Sequence, residues 1–385
     1  METSPESAGT PPQGLSVRRL MSALRGERFL PVSLISCAVF LIAPDVLLSG
    51  MESPGRLVLI FAWLFVVILG SAIAVVRHAE HLAHHLGEPR GTLILTLAVT
   101  SIEIMSISAV MLHGANNPTL ARDTLFSVTM IVLNGMVGLA LMLGGLKHRE
   151  QTYNLQGANA YLGLIIPLGV PGMVMPGFAR DGLASHLRLS HQLFLTLSAV
   201  VLYATFLFLQ TRGLRGYFMS TEPAPHQERP ERTAGRGPKV AAAFLIAYMV
   251  PVVFLVDKLA IPVDYVVETM GAPALLGGLA MAVLVAMPEG MGAIRAANRN
   301  ELQRSVNVLL GSVLSTIGLT IPAILIISRV TDHPVTLGLE RTDLVLFVLT
   351  LILSVVTFSS QRTHLLQGAV HLLVFAWFVF FIFTP

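Results

Sequence analysis

Two glutamates interrupt apolar stretches of chain. Glu103 lies in Leu97-Ala98-Val99-Thr100-Ser101-Ile102-Glu103-Ile104, and Glu289 in Val285-Ala286-Met287-Pro288-Glu289-Gly290. Each falls well inside a run long enough to cross a bilayer. An acidic side chain at that depth costs about 2.5 to 3.5 kcal/mol on insertion scales, so it persists with a partner, a proton or an ion. Two carboxylates with hydroxyl, amide and carbonyl oxygens around them form a hard-cation site of the calcium type. Glu103 and Glu289 are therefore the expected cation ligands, with Thr100, Ser101, Asn134, Ser312 and Thr316 as lining. Protons compete with a cation for the same carboxylate oxygens, and that competition is itself an exchange mechanism. Pro288 is expected to open its helix and free carbonyls for the ion. Gly277, Gly278, Gly290 and Gly292 leave room for a neighbouring helix to approach.

Other polar groups admit two readings. Glu80 and Asp264, near span edges, are vestibule acids that draw cations in or plain interfacial charges. His78, His81, His84 and His85 follow at helical spacing beside Glu80. They suit a transition metal, a proton-sensing patch, or the polar face of an interfacial helix. The chain has one Cys, which excludes a disulfide framework and a Cys-based metal cluster. It has no phosphate-binding GxxxxGK[ST] loop, no HExxH and no dinucleotide fingerprint, so neither nucleotide-driven pumping nor a catalytic cofactor is expected. No Ser-His pair, paired aspartates or metal triad sits at the depth an intramembrane enzyme needs. The basic residues are scattered, which argues against nucleic acid.

These groups must be held by membrane helices. Of the 385 residues 54% are hydrophobic and only 12% are charged, half the charged share of an ordinary soluble domain. Mean hydropathy is +0.73. Eleven apolar spans are predicted, at about 30–48, 57–76, 92–112, 124–146, 158–176, 191–211, 240–257, 274–294, 306–328, 343–359 and 364–384. With the N-terminus in the cytoplasm, 18 of the 25 Lys and Arg residues fall on the inner side, a clear positive-inside bias. The expected fold is an all-α polytopic membrane protein in the cytoplasmic (inner) membrane, with the lipid bilayer, inorganic cations and protons as its partners.

The halves echo each other. Glu80 precedes Gly87 by seven residues, as Asp264 precedes Gly271. Pro89 and Pro273 follow, then the runs that end on Glu103 and Glu289. Arg122 precedes Asn134 by twelve residues, and Arg304 precedes Thr316 by twelve. The expected organisation is a cytoplasmic tail over 1–28, a leading helix and outer loop over 29–56, a five-helix repeat over 57–212, a Pro-rich cytoplasmic linker over 213–239 and a second repeat over 240–385. Five is odd, so the repeats insert with opposite topology, the plan of many secondary transporters.

At these residues the sequence resembles the bacterial ChaA-type cation/proton antiporters of the calcium/cation antiporter superfamily. The resemblance rests on Glu88-Pro89-Arg90-Gly91-Thr92 through Glu103, on Leu120-Ala121-Arg122-Asp123-Thr124 through Asn134-Gly135, and on Leu143-Gly144-Gly145-Leu146. It rests equally on Pro288-Glu289-Gly290, Gly292-Ala293-Ile294-Arg295-Ala296-Ala297, Asn300-Glu301-Leu302-Gln303-Arg304-Ser305, and Gly311-Ser312 through Ile321-Pro322-Ala323. It implies eleven spans in two inverted repeats, and export of Ca2+, or of Na+ or K+ in some members, driven by proton entry. The central acids match Glu103 and Glu289. The sequence departs from the superfamily's Gly-Asn-x-x-Glu pattern, having Val99-Thr100-Ser101-Ile102-Glu103 and Val285-Ala286-Met287-Pro288-Glu289, which removes two amide ligands and leaves room for Na+ or K+. A cation channel and a proton-independent cation transporter are the alternative expectations.

Overall fold

Inside a bilayer the backbone of an apolar run has only itself to hydrogen-bond, which leaves the helix as its structure. The computed structural model describes residues 27–86, 90–113, 118–178, 189–219, 237–333 and 335–384, and these are mostly helical. In chain order the long helices are α1 (Phe29–Ile42), α2 (Pro54–Leu86) and α3 (Arg90–His113). Next come α4 (Leu120–His148), α5 (Leu155–Phe178), α6 (Leu189–Gly213), α7 (Pro238–Thr269), α8 (Ala274–Asn298) and α9 (Leu302–Thr331). The last two are α10 (Arg341–Thr357) and α11 (Leu365–Phe383). By length and apolarity eight of them can cross a membrane: α2, α4 to α9, and α11. The first predicted span, 30–48, is broken: α1 stops at Ile42 and a short turn of helix resumes at Pro44–Leu48. Pro44 lacks the N–H that would continue the ladder. Most of the predicted tail and of the linker lies outside the described residues.

Helices α7 and α8 run through Pro251, Pro262 and Pro288 without a break. The expectation that Pro288 opens its helix is therefore corrected. A proline removes one N–H, which frees the Leu284 carbonyl, but the flanking turns stay closed. The helices depart from α geometry instead at π turns. Two fall inside helices, Ile131–Met136 in α4 and Thr316–Thr320 in α9. Three more, Val170–Val174, Tyr265–Thr269 and Leu209–Gly213, lie toward helix C-termini.

The connections gather at two ends. At one, Gln151 Nε2 donates to the Ala297 carbonyl (2.7 Å), the Asn154 N–H to Gln303 Oε1 (2.6 Å), and Asn307 Nδ2 to the Phe218 carbonyl (2.7 Å). There Glu150–Thr152 and Arg362–His364 pair as a two-stranded antiparallel ribbon, β1 and β2, with Gln151 opposite Thr363. The ribbon departs from the all-α expectation. Two extended connections lie side by side, and pairing satisfies their backbone groups. At the other end the Thr336 N–H donates to the Pro118 carbonyl and the Leu339 N–H to that of Met173, both at 2.9 Å. Arg122 is buried there, with Nε 2.8 Å from Asp123 Oδ1 and Nη1 3.1 Å from the Gly338 carbonyl.

Buried apolar side chains form two clusters. The larger joins α4, α5, α6, α9, α10 and α11. The smaller joins α1, α2 and α7. Helices α3 and α8 contribute several side chains to both, Ala98, Ile102, Met281 and Leu284 to the smaller and Ile107, Met111, Ala282 and Ala286 to the larger, and α4 adds Leu120 to the smaller. The two glutamate-bearing helices thus form the wall between the clusters. Leu34, Ile35 and Ile42 on α1, Phe194 on α6 and Trp377 on α11 point outward, the apolar belt expected of a lipid-facing surface.

Candidate cation site

Glu103 is 2% exposed, inside α3. Glu289 is half-buried inside α8. The helices that carry them, α3 and α8, pack against each other. What lies around them comes mainly from α9. The Thr316 and Thr320 hydroxyls face the Glu103 carboxyl, and the Ser312 hydroxyl faces Glu289. Residues 312, 316 and 320 are spaced by four, and therefore share one helix face.

The local packing explains the convergence. Helix α3 lies against the π turn of α9. Gly290, next to Glu289, lies against Met136 in the π turn of α4, where a side chain would overlap Met136 Sδ. Each acidic helix thus meets the π turn of the other half. Gly278 lets the α4 backbone come close on α8, since an added Cβ would stand 2.6 Å from the Asp123 carbonyl carbon.

The hydrogen-bonding state of these groups is informative. Glu103 Oε1, Thr100 Oγ1, Thr316 Oγ1 and Thr320 Oγ1 are all buried with no hydrogen-bond partner among the described residues. The threonine hydroxyls therefore lie near the carboxyl without closing hydrogen bonds to it. Buried polar groups are normally satisfied. A cluster of unpaired oxygens around a carboxylate is a donor set for a hard cation or for a proton.

Of the lining expected from sequence, Thr316 and Ser312 lie at the glutamates, Thr100 is buried with its hydroxyl unpaired one turn before Glu103 on α3, and Ser101 is half-buried on the same helix. Asn134 does not join them. Its Nδ2 donates to Thr350 Oγ1 at 2.8 Å, and its Oδ1 lies 3.2 Å from His371 Nδ1. His371 Nε2 is 2.9 Å from Thr357 Oγ1. With the amide in this orientation Nδ1 is the donor and Nε2 accepts from Thr357. The Asn134 amide is spent on binding α4 to α10 and α11, the helix-bridging use of such side chains. Thr320 was not anticipated, although its place four residues after Thr316 was the available signal. His371 and Thr350 stand far from Asn134 in sequence, and nothing local announces them.

Glu80 is exposed on α2, and its charge is felt at Glu289. Asp264 is half-buried toward the other end of α7. The histidines diverge. His78 is buried, 3.2 Å from Glu27 and stacked on Phe244 with ring centroids 5.3 Å apart. His85 is exposed, His81 is half-buried, and the His84 side chain lies outside the description. No group of three or more metal-ligating side chains is found among the described residues.

A family model described as sodium/calcium exchanger protein matches residues 56–212 and 240–384. The chain is 39% identical to the protein y4hA of Sinorhizobium fredii over 327 residues, covering 85% of this chain and 89% of that one. It is 37% identical over 323 residues to the sodium-potassium/proton antiporter ChaA of Escherichia coli, covering 82% and 87%. Among solved structures it superposes on native YfkE with a TM-score of 0.72 at 20% identity, covering 93% of this chain and all of that one.

Proposed function

Because the chain belongs to the sodium/calcium exchanger protein family, we propose that it is a secondary transporter that exchanges cytoplasmic cations for external protons, with Glu103 and Glu289 holding ion and proton in alternation. The observation that supports this reading is an acidic side chain on each of two packed helices, α3 and α8, with unpaired buried hydroxyls of α3 and α9. Loaded with a cation, the carboxylates and hydroxyls act together as oxygen ligands. Unloaded, the same oxygens take protons. A carrier that reorients both when cation-loaded and when protonated, but not when its site is empty, couples the two fluxes in opposite directions.

The ion is of the hard class. Calcium suits two carboxylates by charge. Sodium and potassium stand beside it, because the one amide expected at the site is held by Thr350 and His371, and because the 37% identical relative is named for sodium and potassium.

The architecture we assign is eleven crossings: α1 in front, α2 to α6 as one repeat, α7 to α11 as its inverted copy, with the N-terminus and the 213–239 linker cytoplasmic. Three features support it. The family model matches the two halves separately. The third helix of each half carries the internal π turn. The basic connections around 147–154, 214–218, 298–303 and 360–364 meet at one end, away from those around 118, 176 and 338. The protein then resides in the cytoplasmic membrane, with Glu80 at the inner entrance and Asp264 at the outer.

Proton flux in inside-out vesicles tests the reading. The vesicles are energised to acidify the lumen, and Ca2+, Na+, K+ and Mg2+ are added separately while a pH-sensitive dye is followed. At least one cation is expected to collapse the gradient, and Glu103→Gln and Glu289→Gln each to abolish the response. An intact response in both variants would remove the glutamates from the mechanism. No response to any ion in inserted, folded protein would remove proton exchange of these ions.

A further inference from the structure

A groove of about 410 Å3 lies between the start of α1 and α2, and no residue of the candidate cation site lines it. Its wall on α2 is Val66, Leu69, Gly70, Ile73, Ala74 and Arg77. These positions follow one another by three and four or by their sums, so they form a single face of the helix. Val66 and Ile73 are exposed on a helix long and apolar enough to cross a membrane. In a bilayer the groove therefore opens toward acyl chains. Gly70 seats the start of α1, since an added Cβ there would overlap the Phe29 ring.

One end of this apolar channel is basic. Arg77 follows the apolar run of α2 directly, and Arg28 lines the groove from the start of α1. Both are exposed. Glu27, 2% exposed, accepts from Arg77 Nη2 and, at 3.0 Å, from the Tyr248 hydroxyl of α7. The buried carboxylate thus fixes Arg77 at the mouth of the groove. Arg28 makes no hydrogen bond or ion pair among the described residues. Two guanidiniums against one carboxylate leave at least one positive charge uncompensated. From Val66 to Arg77 the helix rises about 16 Å, half of the ~30 Å of bilayer hydrocarbon. The groove has the length of one leaflet, with its charge at the level of the head groups. The residues that precede it in the chain include Arg18, Arg19 and Arg25. They carry charge of the same sign as the mouth, which argues against that segment as the occupant.

We propose that this groove binds one anionic phospholipid, with the phosphate on Arg28 and Arg77 and an acyl chain laid along α2 from Ala74 to Val66. Guanidinium groups match phosphate oxygens in a two-pronged geometry that an ammonium lacks. Basic pockets between membrane helices take anionic head groups in this way. A zwitterionic lipid fits less well, because its own cation meets the same two arginines. The lipid bridges α1 and α2, and so ties the leading helix to the bundle. That it comes from the cytoplasmic leaflet rests on the orientation assigned above; the site itself needs neither that orientation nor the exchange reading.

Native mass spectrometry of the delipidated full-length protein tests the proposal, with phosphatidylglycerol and phosphatidylcholine of equal chain length added in turn. The parent should retain one phosphatidylglycerol in preference to phosphatidylcholine. Arg28→Gln leaves the Glu27 contacts in place and should weaken phosphatidylglycerol binding about tenfold, the scale of one hydrogen bond to a charged group. Arg28→Lys keeps the charge and should recover part of that loss, and the Tm of both variants without lipid should equal the parent's. Val66→Trp narrows the far end of the groove from an exposed position. It should weaken a long-chain phosphatidylglycerol and spare a six-carbon-chain one. Glycerol phosphate in excess should not displace the lipid, since it has no chain to fill the groove. Equal retention of the two lipids by the parent overturns the proposal, as does an Arg28→Gln variant that keeps the parental preference. Displacement by glycerol phosphate at the same concentration as lipid reduces the groove to a bare anion site and overturns it too. Binding is read without transport, so these outcomes hold whether or not vesicles exchange cations for protons.

Discussion

An acidic side chain inside an apolar helix is costly, and that cost is the physical ground for the exchange role proposed for Glu103 and Glu289. Neutral polar residues are cheaper in membrane helices and announce their partners less. Asn134 was equally conspicuous, yet its amide is committed to Thr350 and His371. Its assignment depended on contacts across more than 200 residues, which no local pattern contains. Two predictions follow at this scale. His371→Ala removes the acceptor for Thr357 and the donor to Asn134, leaving a buried amide oxygen unmet. That should cost about 1–3 kcal/mol, read as a lower Tm of the purified protein, with cation affinity nearly unchanged. If His371→Ala instead abolishes binding, the network belongs to the site. The second concerns acidity. In the proposed exchange ion and proton share the same oxygens, so the apparent affinity for the cation should fall as pH falls, and a KM independent of pH would contradict the competition.

The helices themselves were the easiest feature to read, since runs of some twenty apolar residues leave few alternatives. Their interior geometry was harder. Prolines marked a break at Pro44 but not at Pro288, because a lone missing N–H is tolerated where neighbouring turns and helices hold the backbone. The π turns of α4 and α9 left no compositional mark. Small residues were informative, and their effects can be ranked. Gly278 faces the Asp123 and Thr124 backbone, which cannot yield, whereas Gly292 has nothing within 4 Å of an added Cβ. Gly278→Ala should therefore destabilise the α4–α8 contact by about 1–3 kcal/mol, as overpacking does, and Gly292→Ala should be neutral. Thermal unfolding of the two variants in detergent checks the order, and equal Tm values would mean that the α4–α8 contact is looser than described.

For the whole molecule, the count of positive charges sorted the connections into two sets, and the hydrogen bonds gather the described ones into two ends. The ribbon of β1 and β2 was invisible in sequence: three residues carry too little pattern, and their pairing depends on two connections 210 residues apart arriving side by side. In a Cys37→Ser background, single cysteines at Ser360 and Thr336 should react with a membrane-impermeant thiol reagent from opposite faces of sealed vesicles. Labelling of both from one face would overturn the two-ended arrangement. A π turn holds one residue more than the α turn it replaces. Deleting one residue within Ile131–Met136 or Thr316–Thr320 would thus restore an unbroken α ladder while turning the two ends of α4 or α9 relative to each other. Shortening by one residue there should be survivable for insertion yet ruinous for alignment at the glutamates, which makes the length of these helices a property of the proposed site.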